Sequence, residues 1–220
     1  MRLSFLALIP FVFYTFRLLA FVKDTYLPSF FVFDHEVLQK LSQEAIAETE
    51  GASSPNALFE SLHSKLKATY GNYISEYNYN DWMFNNAGGA MGQMIILHAS
   101  FTEYLIIFGS AVGTEGHTGH HLADDYFVIL SGVQTASYSN QTVASQYKPG
   151  DKHHLPYGYA KQYSLTSGGF ALELAQGYIP TMLIFGFADS IFSTTDPFNL
   201  GRQIYFTAKS MLKNTLIGKI

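Results

Sequence analysis

Three carboxylates beside apolar runs are the residues of this sequence best suited to chemistry. Asp124 and Asp125 directly precede the run Tyr126–Leu130, and Glu173 lies inside the run Phe170–Leu174. A carboxylate among apolar residues is unfavourable unless it meets water, a partner or a reacting ligand. Burial also raises the pKa of a carboxyl group, so the group stays protonated near neutral pH and can donate a proton. These residues therefore predict a site for acid–base chemistry.

Strand alternation indicates which of these carboxylates share a cavity. Successive strand residues point to opposite faces, so Glu173 shares its face with the small residues Ala171 and Ala175. This pattern suits a cavity wall better than the alternative, an edge strand with Glu173 in water. Only one of Asp124 and Asp125 can point into the same interior. Asp125 is on the strand face that also carries the apolar residues Phe127 and Ile129, so it is the better candidate. Two carboxylates in one cavity split their pKa values, which gives one acid and one base.

A cluster of histidines between glycines precedes the two aspartates. His117, His120 and His121, followed by Asp125 and later by Pro149–His153, are similar to the two signature segments of a cupin barrel. In metal cupins these segments supply histidines and a carboxylate, which suit iron, manganese, zinc or nickel. Here the histidines are not spaced His-x-His and the carboxylate is aspartate rather than glutamate, although a three-ligand site needs specific spacing. We therefore predict turn histidines on a cupin-like scaffold with no metal, and a metal-dependent oxygenase is the alternative.

The composition describes an apolar protein without cysteine. Charged residues make up 14% and aromatic residues 16% of the 220 residues, and the formal net charge is −4. A nucleic-acid-binding domain would present a basic face, so this charge argues against that class of partner. The absence of cysteine excludes disulfides, thiol catalysis and cysteine metal sites.

The first residues predict a membrane anchor. Leu3–Val22 is interrupted by polar residues or proline only at Ser4, Pro10, Thr15 and Arg17, and about twenty residues is the length that spans a bilayer. A signal peptide is the alternative, but no small-x-small cleavage site follows the run. We therefore expect an uncleaved transmembrane anchor over residues 1–24.

Two helices form a lead-in over residues 25–80. Asp34 is a suitable N-cap for a helix that runs to about Glu48 with apolar residues at helical spacing. Ser54 and Pro55 have the residue types of an N-cap and a first helical position, and Gly71 ends the second helix.

Strand signals dominate residues 81–177. Trp82–Gln93 contains three glycines, which permit tight turns or close backbone approach; a phosphate-binding loop is the alternative, but no Gly-Lys-Ser/Thr follows. Six apolar runs of strand length then recur between turn residues, which predicts an all-β barrel or sandwich. The runs are Met94–Ala99, Glu103–Phe108, Tyr126–Leu130, Gln134–Ser137, Gln162–Leu165 and Phe170–Leu174.

Residues 178–220 predict two further helices. Tyr178–Phe192 and Phe198–Ile217 are long and apolar, and Asp196 and Pro197 separate them as cap and first helical residue. Basic residues among the apolar ones suit a helix at a membrane interface. A helix packed on the barrel with its basic face in water explains the same pattern.

Several segments closely resemble the fungal sterol C8-isomerases and the related sigma non-opioid receptor. The likeness runs from about Phe31 to Lys213, and two stretches, His117–Phe127 and His153–Ser164, are more similar to the fungal enzymes than to the receptor. The other matching segments are Asn85–Gly92, His98–Gly119, Tyr147–Gly150, Phe170–Pro180 and Ala188–Thr194.

The resemblance implies a fold and a location. It implies a homotrimer in the endoplasmic reticulum membrane, mainly β with helices: an N-terminal transmembrane helix, a cupin-like β-barrel without catalytic metal, and two C-terminal membrane-associated helices. It also implies that these enzymes shift a sterol ring double bond from Δ8 to Δ7, the fecosterol-to-episterol type of step in ergosterol biosynthesis, without a cofactor.

The resemblance also implies roles for individual residues. In the receptor a pair of acids contacts the basic nitrogen of the ligand; one corresponds to Glu173, whereas the other position holds Phe127 here. Asp124 and Asp125 lie nearby as replacements. Tyr104 matches a tyrosine that supports the glutamate, and the residue before it, Glu103, matches a buried structural glutamate.

These residues fit the chemistry of a double-bond shift. An acid protonates one alkene carbon, a carbocation forms, and a base removes a proton from the other side. We predict that Glu173 and either Asp125 or Asp124 are catalytic, and that aromatic side chains bind the sterol and stabilise the cation through their faces. Those side chains are Tyr104, Phe127, Trp82, Phe84 and Tyr126.

The predicted site also indicates a class of inhibitor and is compatible with a second function. Cationic amphiphilic amines mimic the carbocation and should inhibit, since transition-state mimics bind tightly. The rival is a ligand-binding membrane chaperone of the sigma-receptor type without turnover, because the same cavity could serve either.

Overall fold

A computed structural model describes residues 2–52 and 54–220, with side chains from residue 8 onward apart from residue 53. Within these ranges the chain forms five α-helices and ten β-strands. The helices are α1 (Arg2–Thr25), α2 (His35–Glu48), α3 (Pro55–Tyr70), α4 (Ile179–Phe192) and α5 (Pro197–Leu216). The strands are β1 (Met83–Ala87), β2 (Ala90–Ala99), β3 (Glu103–Ser110), β4 (Thr114–His117), β5 (Ala123–Ser131), β6 (Gln134–Ser137), β7 (Ser145–Tyr147), β8 (Lys152–Leu155), β9 (Gln162–Leu165) and β10 (Gly169–Gly177).

The chain divides into two compact units, and the first, residues 1–31, consists of α1 and a 3₁₀ turn at Leu27–Phe30. Residue 1 and the side chains of residues 2–7, which belong to the predicted anchor, lie outside the described part. Among the described residues, no helix is long and apolar enough to cross a membrane. The transmembrane anchor predicted over residues 1–24 is therefore not found in the described part of the chain. The described part of α1 carries charge at Arg17, Lys23 and Asp24 between its apolar side chains.

The second unit, residues 32–220, is built on two antiparallel sheets. The larger sheet has the strand order β1-β2-β3-β10-β5-β8, and the smaller has the order β4-β9-β6-β7. Apolar side chains of the larger sheet, among them Met94, Ile106 and Phe108, pack against Leu165 of the smaller one. The protein is therefore mainly β with helices, as predicted, and the inner faces of the two sheets enclose its interior.

The outer face of the larger sheet is covered by α2 and α3. Leu38 of α2 and Leu62 and Leu66 of α3 join one buried cluster with Leu105 and Leu172 of the sheet. Because the interior and this helical layer lie on opposite faces, the central strands are apolar on both sides. That property explains why their sequences are continuous apolar runs.

The helix ends lie where the sequence predicts them. The Asp34 carboxylate accepts hydrogen bonds from the backbone N–H groups of Glu36 (2.7 Å) and Val37 (3.3 Å) and caps α2. Ser54 caps α3 through the N–H of Asn56, and Asp196 caps α5. Each cap satisfies backbone donors that have no partner inside the helix.

All six predicted strands are present, and four further strands were missed. The stretch Trp82–Gln93, predicted only as a glycine-rich segment, contains the hairpin of β1 and β2. Its two-residue turn is Gly88 (φ 62°) and Gly89 (φ 82°), and Ala87 pairs with Ala90. Two successive residues with positive φ form the turn that matches strand twist, and glycine adopts that conformation without steric cost.

The C-terminal helices pack beside the barrel interior. Ile179, Met182 and Leu183 of α4 and Met211 of α5 join a cluster that includes Ala175 of β10. These two helices therefore place side chains directly over the residues of β10 and β5 that carry the predicted acids.

Candidate active site

Asp125 and Glu173 lie on neighbouring strands and on the same face of the larger sheet. Ala175 of β10 pairs with Tyr104 of β3 on one side and with Asp125 of β5 on the other. In the next row of that face, Glu173 is paired with Phe127. Residues two apart in a strand point the same way, and diagonal neighbours are about 7–8 Å apart. The register thus brings Tyr104, Asp125 and Glu173 together, as the alternation of the sequence predicts.

These three side chains line a cavity that is open to solvent on one side. Most of the wall is apolar or aromatic, with contributions from Met94, Phe108, Phe127, Ile179, Leu183 and Phe185. A wall of this kind with a few convergent polar groups is typical of a binding site for an apolar small molecule.

The surroundings of Asp125 favour its neutral form. Only 1% of its surface is exposed, and its Oδ1 atom has no hydrogen-bond partner among the described residues. Burial raises the pKa of Asp125 well above its usual range, and the nearby charges of Glu173 and Asp124 raise it further. A buried carboxyl group without a donor avoids the cost of a buried charge by keeping its proton.

Glu173 keeps a partly accessible surface because it faces the cavity. Burial raises the pKa of Glu173 to about 7. No hydrogen bond fixes its carboxyl group to another residue in the described part of the chain, so the group is free to meet a ligand. Two close carboxyl groups repel when both are ionised, so near neutral pH the pair with Asp125 retains a proton. The pair can therefore both give and accept a proton.

Tyr104 supplies a phenol that stays protonated beside the pair. Burial, with a contribution from the charge of Glu173, raises the pKa of Tyr104 far above its usual range. Its hydroxyl group forms a hydrogen bond with Thr207 of α5 at 3.2 Å. The tyrosine thus couples α5 to the acid-bearing wall of the cavity.

Asp124 is separated from this pair. It points to the opposite face of β5, where its Oδ1 accepts hydrogen bonds from His154 Nε2 (3.0 Å) and the N–H of Tyr157 (3.1 Å). Its side chain is 22% exposed and does not line the cavity. Of the two aspartates predicted as partners of Glu173, the structure brings only Asp125 to it.

Some of the aromatic residues predicted to bind the substrate line the cavity and others do not. Phe127 and Tyr104 line the cavity, whereas three others do not. Tyr126 lies on the outer face of β5, stacked between His35 (ring centroids 4.2 Å apart) and His154 (4.6 Å).

Trp82 and Phe84 also lie away from the cavity. Trp82 packs in the outer core against Phe59 (5.2 Å) and Phe170 (5.8 Å). Phe84 is 56% exposed on the edge strand β1. Neither of these predicted substrate-binding side chains lines the cavity, and strand parity is the reason for Phe84, which alternates with the buried Met83.

Several other residues that line the cavity were not predicted from the sequence. Phe108 continues the alternation of Tyr104 along β3, so this signal was present in the sequence. Tyr163 comes from the second sheet, and Phe185 and Phe187 come from α4. Their positions depend on long-range packing that no local pattern reports.

Glu103 is buried on the other face of β3, where its carboxylate is fully satisfied. It accepts hydrogen bonds from the N–H groups of Val32 (2.8 Å) and Phe33 (3.1 Å) and from Gln176 Nε2 (2.7 Å). Lys219 forms an ion pair with it at 2.9 Å. These contacts join the start of the second unit, the central sheet and the segment after α5.

The histidine cluster lies partly at the cavity. His117 and His121 line it, whereas His120 is exposed and bonds the Gly158 carbonyl at 3.0 Å. His153 is buried elsewhere, between Gln134 (2.9 Å) and Lys161 (2.8 Å). In the part of the chain that the structure describes, no group of three or more histidine, aspartate or glutamate residues is placed to hold a metal ion.

The fold and the site define a mainly antiparallel β protein with an acid pair in an apolar cavity, suited to proton transfer on an apolar ligand. A family model described as "ERG2 and Sigma1 receptor like protein" matches residues 6–219. The chain belongs to this family.

Named relatives of high similarity are fungal. The chain is 48% identical over 202 residues to the C-8 sterol isomerase of Mycosarcoma maydis, covering 89% of this chain and 83% of that protein. It is 48% identical over 203 residues to the C-8 sterol isomerase of Neurospora crassa, covering 91% of this chain and 78% of that protein. Sigma non-opioid intracellular receptor 1 of Danio rerio is 33% identical over 187 residues, covering 85% and 80%.

Similarity to solved structures is limited to part of the chain. An RmlC-like cupin from Shewanella frigidimarina is 14% identical, with a TM-score of 0.37 over 48% of this chain and 94% of that chain. A cupin superfamily protein from Desulfitobacterium hafniense is 16% identical, with a TM-score of 0.33 over 47% and 83%.

Proposed function

We propose that this protein is a C-8 sterol isomerase that moves a ring double bond from Δ8 to Δ7, the fecosterol-to-episterol type of step in ergosterol biosynthesis. The observation that carries the proposal is the pair Asp125 and Glu173 on one wall of an apolar cavity. The high identity to fungal proteins named C-8 sterol isomerase supports the same activity. The barrel over residues 81–177 binds the sterol, and residues 178–220 close it.

The acid pair can perform the reaction without a cofactor. The protonated member adds its proton to one carbon of the alkene and leaves a carbocation at the neighbouring carbon. The ionised member then removes a proton from the carbon on the other side of that cation, which forms the new double bond. The two acids have exchanged protonation states after one turnover, and proton transfer between these neighbours restores the starting state.

The apolar wall protects the intermediate. Water would capture the carbocation, so a site for this reaction must exclude it. Phe127 beside the acids and the ring of Tyr104 offer π faces that stabilise a cation. The neutral form of Tyr104 keeps a second negative charge away from the pair.

A ligand-binding membrane chaperone without turnover is the second candidate. The 33% identity to a sigma non-opioid intracellular receptor supports it, and the same acid-bearing cavity would serve it. Turnover of a Δ8 sterol separates the two functions, since a receptor binds the sterol and releases it unchanged.

The location and assembly are part of the proposal. We place the protein at the endoplasmic reticulum membrane, with α4 and α5 facing the lipid from which a sterol arrives. Large exposed apolar side chains on these helices support that placement, among them Ile184, Phe192, Phe198, Leu212 and Leu216. A homotrimer, which the family resemblance implies, is tested by light scattering of the solubilised protein.

Cationic amphiphilic amines should inhibit the enzyme. A protonated amine in an apolar frame resembles the carbocation and pairs with the ionised member of the acid pair. Competition between such an amine and a Δ8 sterol is the measurement, and turnover that is unaffected by the amine would contradict the acid-pair site.

The effect of Glu173→Gln on turnover tests the proposal. The amide cannot transfer the proton, so kcat should fall by about 10²–10⁴-fold, the usual contribution of a general acid or base. The matched control is Glu115→Gln, which changes an exposed glutamate of β4 outside the cavity and should keep full activity. A folded Glu173→Gln protein with unchanged kcat would remove the proposed role.

A further inference from the structure

A second group of polar side chains lines the cavity away from the acid pair. Asn85 of β1 and Gln203 of α5 both contribute to the wall. Gln203 is only 2% exposed, and its Nε2 donates hydrogen bonds to Asn85 Oδ1 (2.8 Å) and to the Phe84 carbonyl (3.3 Å). An amide pair in an apolar cavity is unfavourable unless its remaining donors and acceptors also find partners.

The amide pair offers one donor and one acceptor to a ligand. The Phe84 carbonyl requires the nitrogen of Gln203, and this contact fixes the orientation of both amides. Gln203 Oε1 and Asn85 Nδ2 then have no hydrogen-bond partner within residues 2–52 and 54–220, and neither is fully enclosed. A hydroxyl group both donates and accepts a hydrogen bond, so it is complementary to this pair.

The pair and the acids lie at different places along the larger sheet. Asn85 shares its face with Met83, which pairs with the cavity residue Met94. Strand β1 is three strands from β10 in the sheet, which separates Asn85 from Glu173 by about 14 Å across the strands. Asn85 pairs with Gly92 of β2, whereas Glu173 is linked through Ile106 of β3 to Ile96 of β2, so the two residues are also shifted by roughly 13 Å along the strands. The wall between them is apolar and includes Ile106 and Phe108.

A sterol has the same distribution of polar groups. Its ring system is rigid and apolar, with one hydroxyl group on ring A and the Δ8 double bond in the adjoining ring. When the double bond lies at the acid pair, the hydroxyl group has a fixed position elsewhere in the cavity and must lose its water. It needs a hydrogen-bonding partner at that position.

We propose that Asn85 and Gln203 bind the ring A hydroxyl group of the sterol substrate and so set the position of the double bond against the acid pair. This inference rests on the proposed isomerase function and assigns the part of the substrate that the acids do not touch. Holding the reacting carbon near a catalytic group contributes strongly to rate, and a site that bonds a hydroxyl group discriminates against analogues without one.

The test compares a 3β-hydroxy Δ8 sterol with its 3-deoxy analogue. For the wild-type protein in membranes, kcat/KM should favour the hydroxylated sterol by between about tenfold and a hundredfold, because the analogue leaves buried amide groups unpaired. Gln203→Met and Asn85→Val should each reduce this preference to within about threefold, mainly by slowing the hydroxylated substrate.

The ratio separates hydrogen bonding from a structural role. Gln203 also joins α5 to β1, so its replacement can loosen the fold, but a loosened fold slows both substrates alike. Asn86→Val is the matched control: Asn86 is buried beside Asn85 on the opposite face of β1, where its Nδ2 donates to Thr194 Oγ1 at 2.9 Å. This variant should retain the wild-type ratio even if its stability falls.

Binding distinguishes this inference from the isomerase proposal. If the wild-type protein converts neither sterol, the isomerase function is wrong, and the affinities of the two labelled sterols then test the amide pair directly. A preference for the hydroxylated sterol that Gln203→Met removes supports the inference. Equal affinities in the wild-type protein, or a preference that both cavity variants retain, would overturn it.

Discussion

Asp125 and Glu173 differ in their surroundings although they share one wall. Asp125 is almost fully enclosed with an unpaired oxygen atom, whereas Glu173 exposes its carboxyl group to the cavity. Enclosure favours the neutral form more strongly at Asp125, and Glu173, with a pKa of about 7, changes protonation near neutral pH. We therefore expect the pair to retain a proton near neutral pH and the more accessible Glu173 to be the member that meets the ligand first.

The two aspartates should respond differently to replacement by asparagine. Asp125→Asn removes a member of the proton-transferring pair, so kcat should fall by about 10²–10⁴-fold. Asp124→Asn changes a side chain on the outer face and should keep kcat within about threefold, because its amide oxygen can still accept the hydrogen bonds from His154 and Tyr157 without the negative charge. Steady-state turnover of the two variants measures this, and a larger loss in Asp124→Asn would contradict the assignment.

Stability should depend on pH through Glu173. Its pKa rises from 4.5 to about 7 on folding, so between these pH values the folded state binds more protons than the unfolded state. The contribution of Glu173 to the free energy of unfolding is present below about pH 4.5 and is lost as pH rises to about 7, by on the order of 3 kcal/mol.

Glu173→Gln measures the effect of Glu173 on the titration of the acid pair, because the loss of its charge also lowers the pKa of Asp125. The free energy of unfolding of the wild type should fall relative to that of the variant as pH rises from 5 to 8. Urea denaturation at both pH values measures the difference. A constant difference would show that the carboxyl group titrates in the folded protein as it does in the unfolded chain.

Among the secondary-structure elements, the pairing of β5 with β10 determines the site. A shift of one residue in this register would turn Glu173 or Asp125 to the outer face, against α2 and α3. Apolar residues on both faces of these strands oppose such a shift only weakly, because either face can be buried. The small Ala175 between Tyr104 and Asp125 fits the cavity side, whereas Leu174 packs in the outer core.

The segment after α5 is fixed to the sheet by the pair of Lys219 and Glu103. Both side chains are buried, with 4% and 0% of their surfaces exposed. Lys219→Met leaves the Glu103 carboxylate with hydrogen bonds but without its counter-charge, so the free energy of unfolding should fall by about 3 kcal/mol. Chemical denaturation of the variant measures this effect.

A second substitution checks the cause of that loss. Glu103→Gln and Lys219→Met each remove one half of the ion pair, so the loss of stability in the double variant should be smaller than the sum of the losses in the two single variants. If the double variant is instead less stable by the sum of the two single changes, the pair is not coupled and the loss is one of packing.

Local patterns predicted the elements better than the faces of their side chains. Asp34 and Asp196 predicted the starts of two helices correctly, because an N-cap bonds only to residues close to it in the sequence. The alternation of residues around Glu173 predicted correctly that it shares the cavity face with Asp125. Tyr126 could not be placed correctly by its aromatic character, because the strand is buried on both sides.

Some strands and contacts were not predicted because the strands are short and the contacts join residues far apart in the sequence. Strands β4, β7 and β8 have three or four residues and few apolar ones, so no periodic signal marks them. Gln203 shows no local sign of its contact with Asn85, which joins residues 118 positions apart.

At the scale of the whole molecule, the two sheets and the C-terminal helices surround the acids with apolar side chains. The cavity presents the acids at one place and the amide pair at another. The fold thus supplies the apolar environment that both the raised pKa values and a carbocation require.

The most direct measurement is incubation of membranes carrying this protein with a Δ8 sterol in heavy water, followed by mass spectrometry of the product. Carboxyl groups exchange their protons with solvent, so the proton that Glu173 or Asp125 adds to the alkene should be a deuteron. We expect a Δ7 sterol carrying one deuterium, and loss of both conversion and label in Glu173→Gln. Recovery of the sterol unchanged and unlabelled from folded protein that still binds amines would contradict the isomerase function and favour the receptor function.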